Sequence, residues 1–427
     1  MTRICYYYLY NMYTKKIAYL PPHHNGQRGY SPKRQLPVWC GGLLAFVLLF
    51  GVAFSVNAAD DNRYFVKSTA VVWKKYFGAR HSFENGFTAD LSDFQLRFVK
   101  IFGLEVEPVK KLYVLPAAEA ATPTARNAAK NQRIIPADQV PWGIKMVYND
   151  QFLAKSSGGN GVNVAVLDTG VLKSHLDLKS RIKDCKDFSS SRSPLVDGKC
   201  EDKNGHGTHV TGIIAADGGS DGLGVFGVAP AANIYAYQVC SASGSCWADD
   251  IAAAVRMAAD NGANIINLSL GSDSQSSLIY NAIVYASGKN VLTVAAAGND
   301  GPYAGSIDFP AANYEVVGVG ALDVNKVVSD WSSRGINSQT VAYVAEDGDI
   351  EFAAPGVSVE SAWKDGGYAI LSGTSMAAPH VTGLAAKLWQ KDSLTPAAAT
   401  RDILHKFSID LAPLGDDDDS GWGLPTL

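Results

Sequence analysis

From Asp138 onward, short apolar runs recur along the chain: "VNVAVLD" (Val162–Asp168), "NIYAYQV" (Asn233–Val239), "ANIINLSL" (Ala263–Leu270), "VLTVAAAG" (Val291–Gly298) and "VVGVGA" (Val316–Ala321). Each is too short for a buried helix and has no polar alternation, which predicts strands covered on both faces. Between several of them the spacing changes to that of amphipathic helices, as in "HGTHVTGIIAA" (His206–Ala216) and "DDIAAAVRMAADNG" (Asp249–Gly262). Strands alternating with helices predict an α/β fold with a mainly parallel sheet and helices on both faces. In such sheets ligands lie beyond the carboxyl ends of the strands, so the polar residues there are the ones to inspect.

Upstream the texture differs. Residues from about 60 to 115 mix aromatics and charges, as in "FTADLSDFQLRFVKIFGLEVEPVKKLYVLP", and predict a small α+β unit with a short helix followed by a strand. "AAEAATPTARNAAKNQR" (Ala117–Arg133) has no apolar periodicity and reads as a cleavable linker. The predicted organisation is a leader over 1–59, a small unit and linker over 60–133, and the main domain over 134–427.

Composition narrows the function classes. Hydrophobic residues make up 47% and charged residues 18%, which suits a globular α/β protein and excludes disorder. A net charge of -4 provides no basic field for nucleic acid. "WCGGLLAFVLLFGVAFSVNAAD" (Trp39–Asp60), preceded by Lys33 and Arg34, has the pattern of a secretory signal with a cut near Ala58 or Ala59. Its run of roughly 16 apolar residues is short for a bilayer span of about 20. A membrane association is expected only if this leader stays as an uncleaved anchor, and Met12 is an alternative start.

Cys5 and Cys40 lie in the leader, leaving Cys185, Cys200, Cys240 and Cys246 in the main domain. An even set in an exported chain favours disulfides. Three pairings are open, of which the sequence-local one is expected: Cys185 with Cys200, and Cys240 with Cys246. Zinc is disfavoured because no histidine stands near either pair.

Four polar residues fall at the predicted strand ends and helix starts. "VNVAVLDTG" ends its strand in Asp168, and "NGHGTHVTG" opens a helix at His206. "TVAAAGND" places Asn299 after a strand, and "SGTSMAAPHV" starts a helix at Ser375. Singly these are an ordinary cap, helix start or turn. As a set, an acid, an imidazole and a hydroxyl match the needs of nucleophilic catalysis, in which a base removes the serine proton during attack. "VAVLDTGV" alone also suggests a nucleotide site, but the G-x-G-x-x-G turn that admits a pyrophosphate is missing.

"LDTGV", "NGHGTHVTG", "AAAGND" and "SGTSMAAPHVTG" together resemble the subtilisin-like serine proteases in type and in chain order, over about Asp138 to Leu424. The resemblance implies a serine endopeptidase made as a secreted zymogen, with Asp168, His206 and Ser375 as triad. Asn299 and the Ser375 N–H would be the oxyanion donors. An inactive, peptide-binding relative is the alternative. The resemblance further implies polypeptide substrates lying as an added strand along Ser269, Leu270 and Gly271, opposite the stretch holding Ala296 and Gly298. Asp308, in "DFPAANYEVVGVGA", would lie near the floor of the first specificity pocket, where relatives often carry glycine. A carboxylate there favours Lys or Arg before the cut; an Asp turned to solvent is the plain reading. Trp247 would wall a more distant pocket or simply pack.

No catalytic cofactor is implied. Structural calcium is, at Asp138 and Asp177 and in the loop "ADGGSDGLGVFG" with Asp217 and Asp221 as oxygen donors. The "DDDD" run at Asp416–Asp419 reads as a solvated turn. The 60–133 segment stands where relatives carry a propeptide that acts as an intramolecular inhibitor, with maturation near 130–137. His209 and His380 are expected to be structural, and Pro379 is expected in the first turn of its helix.

Overall fold

The computed structural model describes residues 62–115, 119–123 (backbone only), 134–337, 344–411 and 413–427. The expected leader with its signal or anchor, Cys5, Cys40 and Met12 lie outside these residues, as does 124–133 of the expected linker. Among the described residues no helix is long and apolar enough to cross a membrane.

Eight strands make the main sheet. Their order is Phe352–Pro355, Val316–Leu322, Leu292–Ala296, Ile265–Leu268, Asn163–Asp168, Asn233–Gln238, Ile182–Asp187 and Val196–Asp197. All neighbours run parallel except the last pair. The apolar runs of the sequence are the central strands, and Ile265–Leu268, Leu292–Ala296 and Val316–Leu322 are buried from end to end because both faces are covered. Strand Ile182–Asp187, with the pattern "IKDCKD", escapes the sequence reading because it lies near the edge and is half polar.

Helices His206–Ala215, Thr374–Lys387 and Trp142–Val147 share one apolar core with one face of the sheet. Helices Ala248–Asp260 and Ser277–Ser287 share the other. From Asn163–Asp168 the chain first builds outward through Ile182–Asp187 and back through Asn233–Gln238. It then crosses to Ile265–Leu268 on the opposite side. The strand order therefore reverses beside Asp168, where a crevice at the carboxyl edge is expected.

Disulfides join Cys185 to Cys200 and Cys240 to Cys246, the sequence-local pairing. The upstream unit is richer than a helix followed by a strand. Strands Ser82–Phe83, Gly86–Asp90, Arg63–Val66 and Val106–Pro108 form an antiparallel sheet in that order. Helices Val71–Phe77 and Asp93–Ile101 pack on it around Val66, Phe77, Phe87 and Val99. The second helix starts with a reciprocal cap between Ser92 and Gln95.

Two local expectations are corrected. The "DDDD" run is not a solvated turn: Asp416 and Asp417 are buried. Asn337 donates to Asp416 (2.6 Å), while the Ser420 N–H donates to Asp417 (2.8 Å). Pro379 is not in the first turn but six residues into helix Thr374–Lys387, where its ring removes the hydrogen bond to the carbonyl four residues back. That carbonyl belongs to Ser375 and accepts instead from Ser269 Oγ (3.0 Å), so the break is satisfied from the sheet.

The same helix reaches the loop after helix His206–Ala215 through Gly383, where an added Cβ would lie 2.5 Å from Val228 Cβ. Gly383→Ala should therefore overpack the core and cost about 1–3 kcal/mol. Denaturant unfolding in a Ser375→Ala background, which excludes self-digestion, measures this.

Candidate active site

Asp168 ends its strand almost completely buried. Its carboxylate accepts the Thr169 N–H (2.7 Å) and the His206 Nδ1–H, at 2.8 and 3.0 Å from its two oxygens. The approach of the two groups depends on Gly207: a Cβ there would lie 2.2 Å from the Gly170 carbonyl and 3.0 Å from Asp168 Oδ1.

The loop delivering His206 is organised by Asp202, a residue the sequence reading missed. Its carboxylate accepts from Thr169 Oγ1 (2.9 Å), Gly205 N (2.7 Å), Thr208 N (2.9 Å) and Thr208 Oγ1 (2.7 Å). An acid four residues before the histidine in "EDKNGHGTH" was the available signal.

Burial alone would lower the basicity of His206. The charge of Asp168, its hydrogen bond and the charge of Asp202 outweigh that and raise its pKa above the ordinary 6.5. His206 Nε2 is buried and has no hydrogen-bond partner.

Ser375 lies in the first turn of helix Thr374–Lys387 and is buried. Its Oγ donates to the Ser269 carbonyl at 3.3 Å. A chain of hydrogen bonds from Thr382 to Asn267 (2.8 Å), Asn267 to Ser269 (3.1 Å) and Ser269 to the Ser375 carbonyl ties this helix to the sheet. The amide of Asn299 is oriented by the Thr374 N–H, which donates to its Oδ1 (3.0 Å). Gly298, at φ 111°, donates its N–H to Thr374 Oγ1 (3.1 Å) and so holds the end of the Leu292–Ala296 strand, with Ala296, against the same helix start. The structure thus joins Asp168 to His206, and sets Asn299 against the helix start that carries Ser375, at the carboxyl ends of the parallel strands.

Leu270 and Gly271 form a short strand that is already paired and buried. Strand Lys111–Val114 of the upstream segment lies antiparallel between Leu270–Gly271 on one side and Ser245–Trp247 on the other. Trp247 carries two cations on its ring, the Arg63 guanidinium at 4.6 Å and the Lys111 ammonium at 4.5 Å. Past this strand the chain pairs again, as Glu119–Pro123, with Tyr368–Ser372, which leads directly into Ser375.

The description "Subtilase family" matches residues 159–423. The chain belongs to that family. This subtilase is 44% identical to the subtilisin of Bacillus sp. (strain TA39) over 377 residues, covering 83% of this chain and 87% of that protein. It is 40% identical to Subtilisin Savinase of Lederbergia lenta over 290 residues, covering 67% and 97%. Among solved structures, Sphericase superposes with a TM-score of 0.65 at 46% identity, covering 68% of this chain and 99% of that one. The S41 Psychrophilic Protease superposes equally well at 45% identity, with the same coverage. This subtilase is accordingly a serine endopeptidase of subtilisin-like fold, acting on polypeptides.

The four carboxylates expected to hold calcium in this subtilase each have protein partners. Among the described residues, only His81–Asp249–Asp250 and Asp273–Asp300–Asp308 bring three such ligand atoms within 4.8 Å of one another. Asp138 is held by Lys145 (2.7 Å), and Asp217 by Arg181 (3.1 Å) and Ser180. Asp177 accepts from Val225 N (2.9 Å) and Tyr368 Oη (2.8 Å), and Asp221 caps its own loop through Leu223 N (3.1 Å). Two of the four thus have basic partners.

Asp308 does not turn to solvent. It is 3% exposed, and its Oδ2 fills the space beside two glycines: a Cβ on Gly271 would lie 2.7 Å from it, and one on Gly298 2.9 Å. Its carboxyl pKa is pushed up to about 7, by burial first and then by the charges of Asp300 and Asp273. His209 and His380 are buried, donate to backbone carbonyls, and are held neutral by burial, at about 3 and about 4.

Because Asp168 is what lifts His206 against burial, NMR titration should place the imidazole midpoint above 6.5. Asp168→Asn should bring it below that value. An unchanged midpoint in the variant would remove this account of the pair.

Proposed function

We propose that this subtilase is an exported endopeptidase, made as an inactive precursor, in which Ser375 attacks the scissile carbonyl. His206 takes the serine proton and returns it to the leaving amine, while Asp168 holds the imidazole tautomer and stabilises its charged form. The supporting observation is the buried Asp168–His206 hydrogen bond, which leaves Nε2 without a partner at the sheet edge where Ser375 begins its helix. In the resting state the Ser375 hydroxyl rests on the Ser269 carbonyl. A rotation about its χ1 carries the proton to His206 Nε2 as substrate binds; such bonds commonly tighten only in the complex. The Asn299 amide and the Ser375 N–H donate to the oxyanion.

Residues 60–133 act as the propeptide, removed by cutting near 130–137. Its strand Lys111–Val114 pairs on both sides as an extended substrate would, with Leu270–Gly271 and Ser245–Trp247. Its body is anchored on the start of helix Ala248–Asp260. There, Arg63 donates to Asp249 (3.1 Å) and Asp250 (3.0 Å), Arg80 and His81 meet Asp250 at 2.8 Å, and Thr88 donates to Asp249 (2.7 Å). Buried pairs of this kind hold partners in register.

Asp308 gives the first pocket a preference for Lys or Arg before the cut.

A serine-directed fluorophosphonate should label the protein, and Ser375→Ala should abolish both labelling and peptide hydrolysis. A folded protein that binds peptides but shows neither labelling nor hydrolysis would favour an inactive peptide-binding relative. In a peptide library the advantage of Lys or Arg over Phe should shrink as pH falls below about 7, by about tenfold per pH unit, because the Asp308 carboxyl becomes neutral there. A preference independent of pH, or absent, would remove the pocket-charge reading.

A further inference from the structure

Asp308 is not alone in the first pocket. Asp300 directly follows Asn299, and Asp273 follows the strand-pairing edge by two residues. One carboxylate oxygen of each of the three lies within 4.8 Å of the others. Asp273 and Asp300 are exposed. Asp308 is 3% exposed and points into the cluster, and no hydrogen bond or ion pair of the described residues reaches its carboxylate. A buried carboxylate without a donor is costly, and two further negative charges beside it raise that cost. Among the described residues none of the three forms a salt bridge that would offset it.

We infer that Asp273, Asp300 and Asp308 form a binding site for a divalent cation of calcium's size inside the first specificity pocket, and that the ion competes there with a basic substrate side chain. Three oxygens no more than 4.8 Å apart share a centre about 2.8 Å or less from each, and small side-chain shifts reach the roughly 2.3–2.6 Å that calcium takes. All three donors are hard oxygens, with no nitrogen or sulfur among them, which selects calcium over transition metals. Exposure of Asp273 and Asp300 leaves one side open for water ligands, and the same opening admits the substrate. The ion occupies the place that the proposed Lys or Arg would fill, so the competition clause rests on that reading, whereas the ion site itself does not.

Two measurements test this at pH 8, where Asp308 is ionised. First, calcium chloride is titrated calorimetrically into the mature enzyme blocked at Ser375 with diisopropyl fluorophosphate. Native enzyme should bind one equivalent more than the Asp273→Asn/Asp300→Asn variant. Both exchanged residues are exposed, so the variant is expected to fold, and circular dichroism checks this. Equal stoichiometry and affinity in the two folded proteins would overturn the inference.

Second, rates on two peptide amides differing only in Lys or Phe before the cut are followed at constant ionic strength, with potassium as control. Calcium at ten times its dissociation constant should raise KM for the Lys substrate roughly tenfold, with kcat unchanged. It should leave KM for the Phe substrate unaltered. An extra equivalent without any Lys preference supports the ion site and removes the basic-substrate reading. A Lys preference without the extra equivalent leaves that reading intact and overturns the ion site.

Discussion

A carboxylate buried at the end of a parallel strand is tolerable only where donors surround it, and Asp168 is that carboxylate. Its partners are an imidazole N–H and a backbone N–H, both presented by segments that must come within 3 Å of a strand end. Much around it serves that approach. Gly207 removes the side chain that would collide, Asp202 folds the loop before the histidine, and Thr169 is shared between the two. The helix bearing Ser375 is fixed to the neighbouring strand by an equally polar chain through Asn267 and Ser269. Apolar packing holds the two helices on the sheet, and a few buried hydrogen bonds set their register. The hydrophobic effect is non-directional and cannot do the second task.

The same edge also receives the upstream segment. Leu270–Gly271 and Ser245–Trp247 are two short strands with a strand-wide gap between them, and any extended chain of suitable length can fill it. Here a segment of the chain itself fills it. The upstream unit is attached through charge at the start of helix Ala248–Asp260, where adjacent buried aspartates meet Arg63, Arg80 and His81. The pairing in the cleft is largely backbone and carries little sequence preference, whereas the anchor is specific to side chains. Binding of the upstream unit thus combines a general element with a particular one.

The surroundings of Asp308 show how a single side chain changes the character of a shared fold. Glycines at 271 and 298 make room for a carboxylate that the surrounding backbone cannot neutralise, and Asp273 and Asp300 add to its charge. The acidic grouping is a property of three loops that meet only after folding.

Much of this was legible in the sequence. The apolar runs gave the central strands because burial on both faces removes alternation, and the polar residues at their ends gave Asp168, His206, Asn299 and Ser375. The local disulfide pairing was also readable. The half-polar strand Ile182–Asp187, next to the sheet edge, was not, nor was the antiparallel pairing of Arg63–Val66 with Gly86–Asp90, because partner choice leaves no mark on either segment. Asp138 and Asp217 were readable as oxygen donors, but not the Lys145 and Arg181 that the fold sets beside them. Pro379 was readable as a break but not the Ser269 hydroxyl that repairs it. By itself the sequence determined which polar residues stand at strand ends and helix starts and which runs form the core, since both follow from residue type and local period. Only the tertiary structure decided which charges meet, because contacts between distant segments depend on the order of strands and the close approach of backbones, which no local pattern records.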